Sequence, residues 1–455
     1  MNRYDAIPFK MDIPRDVRLI IDVIEKAGFE AYAVGGCVRD AILGRQPDDW
    51  DITTSAMPED IKSLFRRTID TGIKHGTVTV MIKKKGYEIT TYRVDGAYAD
   101  GRHPDSVTFT ASLAEDLSRR DFTVNAMAYN PGEGLVDRFG GMNDIENKII
   151  RAVGDPMERF GEDALRILRG VRFCAQLGFK LDGQTAEATR ALAPTLERIS
   201  RERIRNELEK LILSDRPDML RDAYRLGITA VILPEFDRMM ETEQNTKYHI
   251  YNVGEHTLAV MLGVEPDRIL RWAALLHDVG KPDRKTTNEN GVDSFKGHAI
   301  AGEVKARTIL RGLRLDNKTI DVVTRLIGAH MDRPVKNEFS PELVRRSVNK
   351  IGKDIYPMYL KLMRADINAK NPEYAGRERE ELAYMEQIFD EILSKGECTS
   401  TDELAISGKD LVALGIEPGR RIGIILEDLL NMVLQDPQLN DRDILIDIVK
   451  KIILR

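Results

Sequence analysis

Two carboxylates one residue apart, in Asp49-Trp50-Asp51, are the first group in the chain whose spacing could do chemistry. On a strand, residues i and i+2 face the same side. The pair would then project together and could bridge divalent cations that activate a hydroxyl and neutralise a triphosphate. A lone Asp-x-Asp is equally a charged strand edge. Upstream, Gly35-Gly36 precedes Cys37-Val38-Arg39-Asp40. Paired glycines between a strand and a helix let backbone approach a phosphate closely, and they also make plain turns. Downstream lies Arg119-Arg120-Asp121-Phe122-Thr123-Val124-Asn125. Its arginines can fork onto phosphate oxygens, while Asp121 and Asn125 can hold a ribose or a backbone loop. A helix start capped by the aspartate is the plainer account.

A second set of residues lies further along. Five of the seven histidines fall between positions 249 and 330. His256 sits in VGEHTLAVM, His277-Asp278 in RWAALLHDVGKP, His298 in FKGHAIAGE and His330 in GAHMD; Asp366 follows in MRADINA. Adjacent His-Asp on an apolar helix is unusual, because a buried aspartate needs a cation or donors. Imidazole with carboxylate suits a divalent metal, although single histidines on helices are commonly satisfied by hydrogen bonds alone.

The elements that must position these groups can be read from periodicity. RDVRLIIDVIEKAG has helical spacing closed by Gly28, EAYAVGG is a short strand running into the double glycine, and VRDAILG is a helix stopped by Gly44. DWDITT reads as a strand with Ile52 opposite the two aspartates. PEDIKSLFRR is a helix with Pro58 in its first turn, and TVTVMIKK and YEITTYRV alternate as an antiparallel pair. From about residue 156 the strand signals stop. Amphipathic segments such as EDALRILRGVRFCAQLG, RIRNELEKLILS, PELVRRSVNKI and RIGIILEDLLNMVL then run to the end.

With 455 residues, 42% of them hydrophobic, the chain has ample core for several domains. It shows no apolar run of membrane-spanning length and no signal-type start, so no membrane partner is expected. Three widely spaced cysteines give neither a disulfide framework nor a zinc motif, which fits a reducing cytoplasm. A net charge of -6 does not advertise a nucleic-acid binder. A local arginine stripe nevertheless runs through Arg166, Arg169, Arg172, Arg190, Arg198, Arg201, Arg203 and Arg205. It is either an RNA-binding surface or a solvated helix face.

Double glycine, about a dozen residues, then Asp-x-Asp on the next strand resembles the DNA polymerase β-like nucleotidyltransferase head. That likeness implies a third carboxylate from a neighbouring strand: Glu88 in YEITTYR, or else Glu88 is a surface residue. Taken together, the motifs resemble class II (bacterial and eukaryotic type) tRNA nucleotidyltransferases and poly(A) polymerases over nearly the whole chain. AVGGCVRDAILG with DDWDITT looks like the metal-holding motif and RRDFTVNAMA like the ribose-recognition motif. Gly154-Asp155-Pro156 with Arg159-Phe160 looks like the hinge, and Glu162-Asp163-Ala164-Leu165-Arg166 like the EDxxR motif that pairs with the incoming base. The resemblance implies Asp49, Asp51 and Glu88 as catalytic residues, with Mg²⁺ on the two aspartates. It implies nucleotide binding by Gly35, Gly36, Arg39, Arg119, Arg120, Asp121, Asn125, Asp163, Arg166, Arg169 and Arg172. Asp163 and Arg166, three apart on a helix, would share a face. CTP and ATP both offer an amino group that the carboxylate can accept and a ring nitrogen that the guanidinium can donate to; GTP and UTP offer the reverse. An ordinary i,i+3 salt bridge is the plainer account of this pair.

The His/Asp set resembles the HD phosphohydrolase superfamily, with His256, His277, Asp278 and Asp366 as its H…HD…D pattern and His298 and His330 as the extra ligands of two-metal members. A divalent transition metal is the implied occupant. The implied activity in related enzymes is phosphatase or 2′,3′-cyclic phosphodiesterase, or the unit is only scaffold. Residues 402–455 resemble the family's tRNA-gripping end, and a packing role is equally consistent. RVDGAYADGRHPDSV (93–107) looks like the flexible loop that CC-adding relatives lack. It argues against a CC-only enzyme and leaves full CCA addition and A-only addition open. The expectation is therefore an α+β head at 1–150, an all-α neck and body at 151–240, an HD domain at 241–370 and a helical tail at 371–455, acting on tRNA with CTP and ATP. The alternatives are an A-adding enzyme or poly(A) polymerase and, from another class, a metal-dependent phosphohydrolase with a degenerate head. The intact Asp-x-Asp argues against the last. Nothing in the chain speaks to oligomeric state.

Overall fold

The computed structural model describes Tyr4, residues 6–96 and residues 107–453. It divides into two compact units, Met1–Pro234 and Glu235–Arg455. The first opens with a helix, Arg15–Lys26, that buries Val17, Ile20, Ile21 and Ile24 at i, i+3, i+4, i+7 spacing. Gly28, at φ +92°, ends it as the sequence predicts. Next come β1 (Ala31–Val34), a helix over Gly36–Ile42, β2 (Ile52–Thr54), a helix over Pro58–Leu64, β3 (Thr68–Gly72), β4 (Thr77–Ile82) and β5 (Lys85–Thr91). β6 (Arg93–Asp95) and β7 (Val107–Phe109) form a separate antiparallel ladder, followed by β8 (Met127–Asn130) and β9 (Gly134–Asp137). The main sheet has seven strands in the order β3-β4-β5-β2-β1-β8-β9. β2 runs parallel to β5 and antiparallel to β1. β4 and β5 form the antiparallel pair expected from their alternation.

One expectation is corrected here. β2 begins only at Ile52, so Asp49, Trp50 and Asp51 form the run leading into the strand. The physical reason lies in the partner: β1 ends at Val34, where Gly35 turns the chain away into a helix. The disappearance of strand after residue 156 is also incomplete: Lys180–Leu181 pairs with Ile149–Ile150, and Thr286–Thr287 pairs with Asp293–Ser294.

The rest of the first unit is helical, with Pro156–Glu162, Leu165–Leu177, Gly183–Leu192 and Arg201–Ile212 as its main segments. The second unit packs Val253–Gly263, Arg268–Leu276, His298–Gly312, Asn317–Ala329 and Tyr356–Asn368 against one another. Its end, including Arg420–Gln435 and Arg442–Ile453, has its own apolar core of Leu411, Ile425, Leu429, Val433, Leu445 and Val449.

Candidate functional site

Gly35 carries φ +83°, a conformation that L side chains rarely adopt. A Cβ there would also meet Arg120 Nη1 at 3.0 Å, so the guanidinium lies against the turn. The N–H of Val34 donates to the carbonyl of Asp51 at 3.0 Å, which seats Asp51 directly beside Gly35. One step back along both strands from the paired Ile52 and Ile89 stand Asp51 and Glu88, so the β2–β5 register sets Glu88 next to Asp51. Trp50 is buried, whereas Asp49, Asp51 and Glu88 are exposed to solvent. Protein crowds Asp51 enough that desolvation pushes its carboxyl up; Arg120 pulls it down, and Glu88 and Asp49 push it up again. Glu88 and Asp49 thus both lie close enough to Asp51 to act on its charge, as members of a cation-binding set would.

A network of charged hydrogen bonds braces this site. Asp116 is fully buried, takes Arg119 at 2.8 Å and Arg120 at 3.3 Å, and accepts from Thr53 on β2 at 3.1 Å. Arg39 donates to Asn125 Oδ1, and Asn125 donates to Asp121 Oδ1 at 3.1 Å. Arg169 holds the other oxygen of Asp121 through Nε at 2.9 Å and through Nη2. Burial pushes the Asp121 carboxyl up, but Arg169 and Asn125 outweigh it and bring it down to about 2. Arg172 turns inward onto Glu207 and lies 3.8 Å over the Phe173 ring, which Arg39 and Arg169 also approach. Arg172 is therefore a buried brace in this structure.

Asp163 and Arg166 do not share a helical face. The helix from Asp155, which caps it, breaks after Glu162; Asp163 is extended at φ -141°, and the next helix starts at Leu165. The cause is local: the Asp163 side chain accepts from the N–H of Leu165 at 3.0 Å, a cap that competes with helix continuation. Nor do the two pair with each other as an i,i+3 salt bridge. Asp163 is gripped by Arg203 at 2.7 Å, while Arg166 donates to Glu162, to the carbonyl of Arg159 at 2.9 Å and to that of Arg119 at 3.1 Å. The arginine stripe divides accordingly: Arg172 is buried and paired, Arg166, Arg169 and Arg203 are half-buried and paired, Arg205 is half-buried, and Arg190, Arg198 and Arg201 are exposed. Residues 97–106, most of the expected flexible loop, lie outside the described residues; β6 and β7 bracket them.

In the second unit, all six residues of the His/Asp set come together. His256 lies within Val253–Gly263 and Asp366 within Tyr356–Asn368; His277 ends one helix, His298 begins another and His330 ends a third. Asp278 is the hub, with His277 Nε2 at 3.2 Å, His298 Nε2 at 3.3 Å and His330 Nε2 at 3.6 Å; His256 Nε2 lies 3.0 Å from Asp366. His256, His277 and Asp278 offer ligand atoms within 4.8 Å of one another, and so do Asp278, His298 and His330.

The donor chemistry fits a metal. Nδ1 of His277, His298 and His330 each faces a backbone carbonyl, those of Ala274, Phe295 and Ile327, which requires the proton on Nδ1 and leaves Nε2 as a lone pair. The Nε2 atoms of His298 and His330 then face each other at 3.2 Å, where a cation between them would relieve the repulsion. Burial pushes His256 and His330 down toward the neutral, ligating form. It lowers His277 too, but the adjacent Asp278 outweighs it and raises that imidazole. Burial would raise Asp278 and Asp366, but His277 and Lys281 beside the first, and Lys370 and His256 beside the second, hold both well below the usual carboxylate range.

Sequence reading missed several partners. Asp116 and Glu207 anchor groups of the head and neck, Arg203, named only as part of the arginine stripe, holds Asp163, and Lys281 and Lys370 contact Asp278 and Asp366 at 2.6 and 2.7 Å. Each lysine follows its aspartate at i+3 or i+4 on a helical turn, a spacing that could have found it. His249, whose ring stands edge-on to His256 at 5.1 Å, also lines the cleft of about 920 Å³ above these residues.

Comparison with known proteins agrees with this geometry. Residues 31–151 match the poly A polymerase head domain, 178–240 the probable RNA and SrmB-binding site of polymerase A, and 246–370 the HD domain. The CCA-adding enzyme of Pediococcus pentosaceus is 34% identical, covering 96% of this chain and 98% of that protein. The chain belongs to the CCA-adding enzyme family. It is therefore a nucleotidyltransferase of the tRNA nucleotidyltransferase and poly(A) polymerase group with an HD domain. The Levilactobacillus brevis CCA-adding enzyme is 36% identical over 94% of this chain and 96% of its own length. Among solved structures, the Bacillus stearothermophilus CCA-adding enzyme in complex with CTP superposes with a TM-score of 0.71 at 30% identity, covering 96% of this chain and 97% of that one. Among the described residues, no helix is long and apolar enough to cross a membrane.

Proposed function

We propose that this protein adds the complete CCA end to tRNA, using CTP and ATP and no nucleic-acid template. The observation that carries the reading is the seating of Asp51 beside the Gly35 turn with Glu88 in register alongside. Divalent cations, Mg²⁺ by preference for carboxylate oxygens, would be held by Asp49 and Asp51 with Glu88 and would supply charge neutralisation and hydroxyl activation. Gly35-Gly36 and Arg120 receive the triphosphate, while Arg39, Asn125 and Asp121 fix the ribose side of the pocket. Asp163 accepts the amino group of cytosine or adenine, and Arg166 donates to the ring nitrogen. A carboxylate has acceptor sites for both Arg203 and a base, so Arg203 aims Asp163 rather than disabling it. The finer division is a head at 1–150, neck and body at 151–240, HD domain at 241–370 and a tRNA-holding tail at 371–455.

The HD set supports a second, accessory activity: hydrolysis of phosphate esters. His256, His277, Asp278, His298, His330 and Asp366 would hold divalent transition metal, which supplies an activated water. Lys281 and Lys370 hold the aspartates ionised and present positive charge to a phosphate.

The test of the main reading is the product ladder on three tRNAs, lacking CCA, CA and A, with labelled CTP and ATP. Full addition completes all three; an A-only enzyme extends only the last. HD activity is tested with 2′,3′-cyclic AMP and added Ni²⁺, Co²⁺ or Mn²⁺.

A further inference from the structure

Tyr248 and Tyr374 are large aromatic residues left 47% and 43% exposed, and both line the cleft whose floor holds Asp278, His298, His330 and Asp366. They are not scattered surface residues. Their rings meet edge to face, 6.0 Å apart at 79°, and Lys247 Nζ stands 5.2 Å from each ring. Their backbones are clipped together: Asn371 N–H donates to the carbonyl of Tyr248 at 2.9 Å, its side chain donates to that of Lys247 at 3.0 Å, and Tyr374 N–H donates to the carbonyl of Asn371 at 3.1 Å. The rim is thus a fixed platform of two π surfaces and the Lys247 cation, opening onto a cleft where Lys281, Arg333, Lys370 and Arg377 are paired with Asp278, Glu378, Asp366 and Glu381 and Lys336 also lines the wall.

Bare phosphate or a sugar phosphate would use the cations and ignore the rings. An unpaired base with a phosphate attached would use both, because every base has a face to stack and cations favour the phosphate. We infer that Tyr248 and Tyr374 form a base-stacking platform that makes the HD cleft selective for phosphate esters carrying an unpaired nucleobase, whether a free nucleotide or a single-stranded RNA end. The inference rests on the reading of this cleft as a phosphate-ester site and adds the residues that would select the base.

The test begins with the full-length protein stripped of metal by chelator, measuring equilibrium binding of AMP, ribose 5-phosphate and a short single-stranded RNA bearing a 3′-phosphate. The parent should bind AMP tighter than ribose 5-phosphate. Tyr248→Ala and Tyr374→Ala should each remove roughly tenfold of AMP affinity and leave ribose 5-phosphate unchanged; the head contributes equally to parent and variant. Tyr→Phe at either position should retain the affinity. A loss of affinity in the alanine variants that is larger for RNA than for AMP would assign the cleft to an RNA end, and an equal loss would assign it to free nucleotides. Since Tyr374 is well exposed, its variant keeps the test available should Tyr248→Ala disturb folding. AMP affinity unmoved by both alanine variants would overturn the inference. With metal restored, hydrolysis of 2′-AMP and glycerol 2-phosphate at equal rates would also overturn it while leaving the hydrolase reading intact. Hydrolysis of neither would sink the hydrolase reading and leave the binding comparison to decide the platform.

Discussion

The carbonyl of Asp51 accepts the N–H of Val34 at 3.0 Å, and this one hydrogen bond sets the Asp51 backbone beside the glycine turn that follows β1. Gly35 is held there at φ +83° with Arg120 against it. Gly35→Ala should cost about 1–3 kcal/mol of stability from a backbone at φ +83° and ψ -134° that favours glycine, and displace Arg120. Thermal unfolding and the initial rate of tRNA extension would both show it; a variant as stable and as fast as the parent would mean the turn is relaxed.

Asp121 should behave as a pH-linked brace. Its folded carboxyl lies at about 2, below the ordinary 3.8, so its contribution is complete above about pH 4 and is lost as pH falls through 2. Asp121→Asn should destabilise the protein by roughly 2 kcal/mol near pH 6. The gap to the parent should narrow as denaturant unfolding is repeated from pH 5 down to 3. A gap that stays constant would remove the charge from the explanation.

Asp163 and Arg203 share one ion pair at 2.7 Å. Asp163→Ala should lose most of the preference for CTP and ATP over GTP and UTP, a fall of about a hundredfold or more in the ratio of kcat/KM. Arg203→Ala should blunt the same ratio less, because the carboxylate survives but is no longer aimed. Unchanged selectivity in Asp163→Ala would refute base reading by this residue.

Much of this architecture is legible in the amino-acid sequence. The glycine turns at Gly28 and Gly44 and the β4–β5 pairing follow from local rules, namely periodicity and φ > 0 positions; His277-Asp278 stands out by residue type, although the helix expected to carry it ends at Leu276, and the rest of the His/Asp set follows from the family resemblance. Periodicity misplaces Asp163 because its own cap on Leu165 N–H competes with helix continuation, a contest that spacing alone does not decide. Asp116 and Glu207 are hidden for a different reason. Asp116 holds Arg119 and Arg120 at helical spacing, but its bond to Thr53, like that of Glu207 to Arg172, joins residues far apart in sequence that only the fold makes neighbours. The inward turn of Arg172 is hidden in the same way, since an arginine on an amphipathic segment reads the same toward solvent or toward a buried glutamate.

Metal content separates the two sites. Asp278→Ala removes the hub between His277, His298 and His330, so elemental analysis should find the HD metal lost while tRNA extension persists. The parent, titrated with Ni²⁺, Co²⁺ or Mn²⁺, should gain thermal stability in proportion to the logarithm of metal concentration above its Kd. No bound metal and no gain would leave the cluster as scaffold.

The most direct test concerns the carboxylates that flank Trp50. With tRNA ending at the discriminator base, Mg²⁺, CTP and ATP, the parent should add CCA, while Asp49→Ala and Asp51→Asn, with unfolding curves like the parent's, should extend it slower by about a thousandfold or more. Extension at the parent's rate by either variant would contradict the assignment of the head.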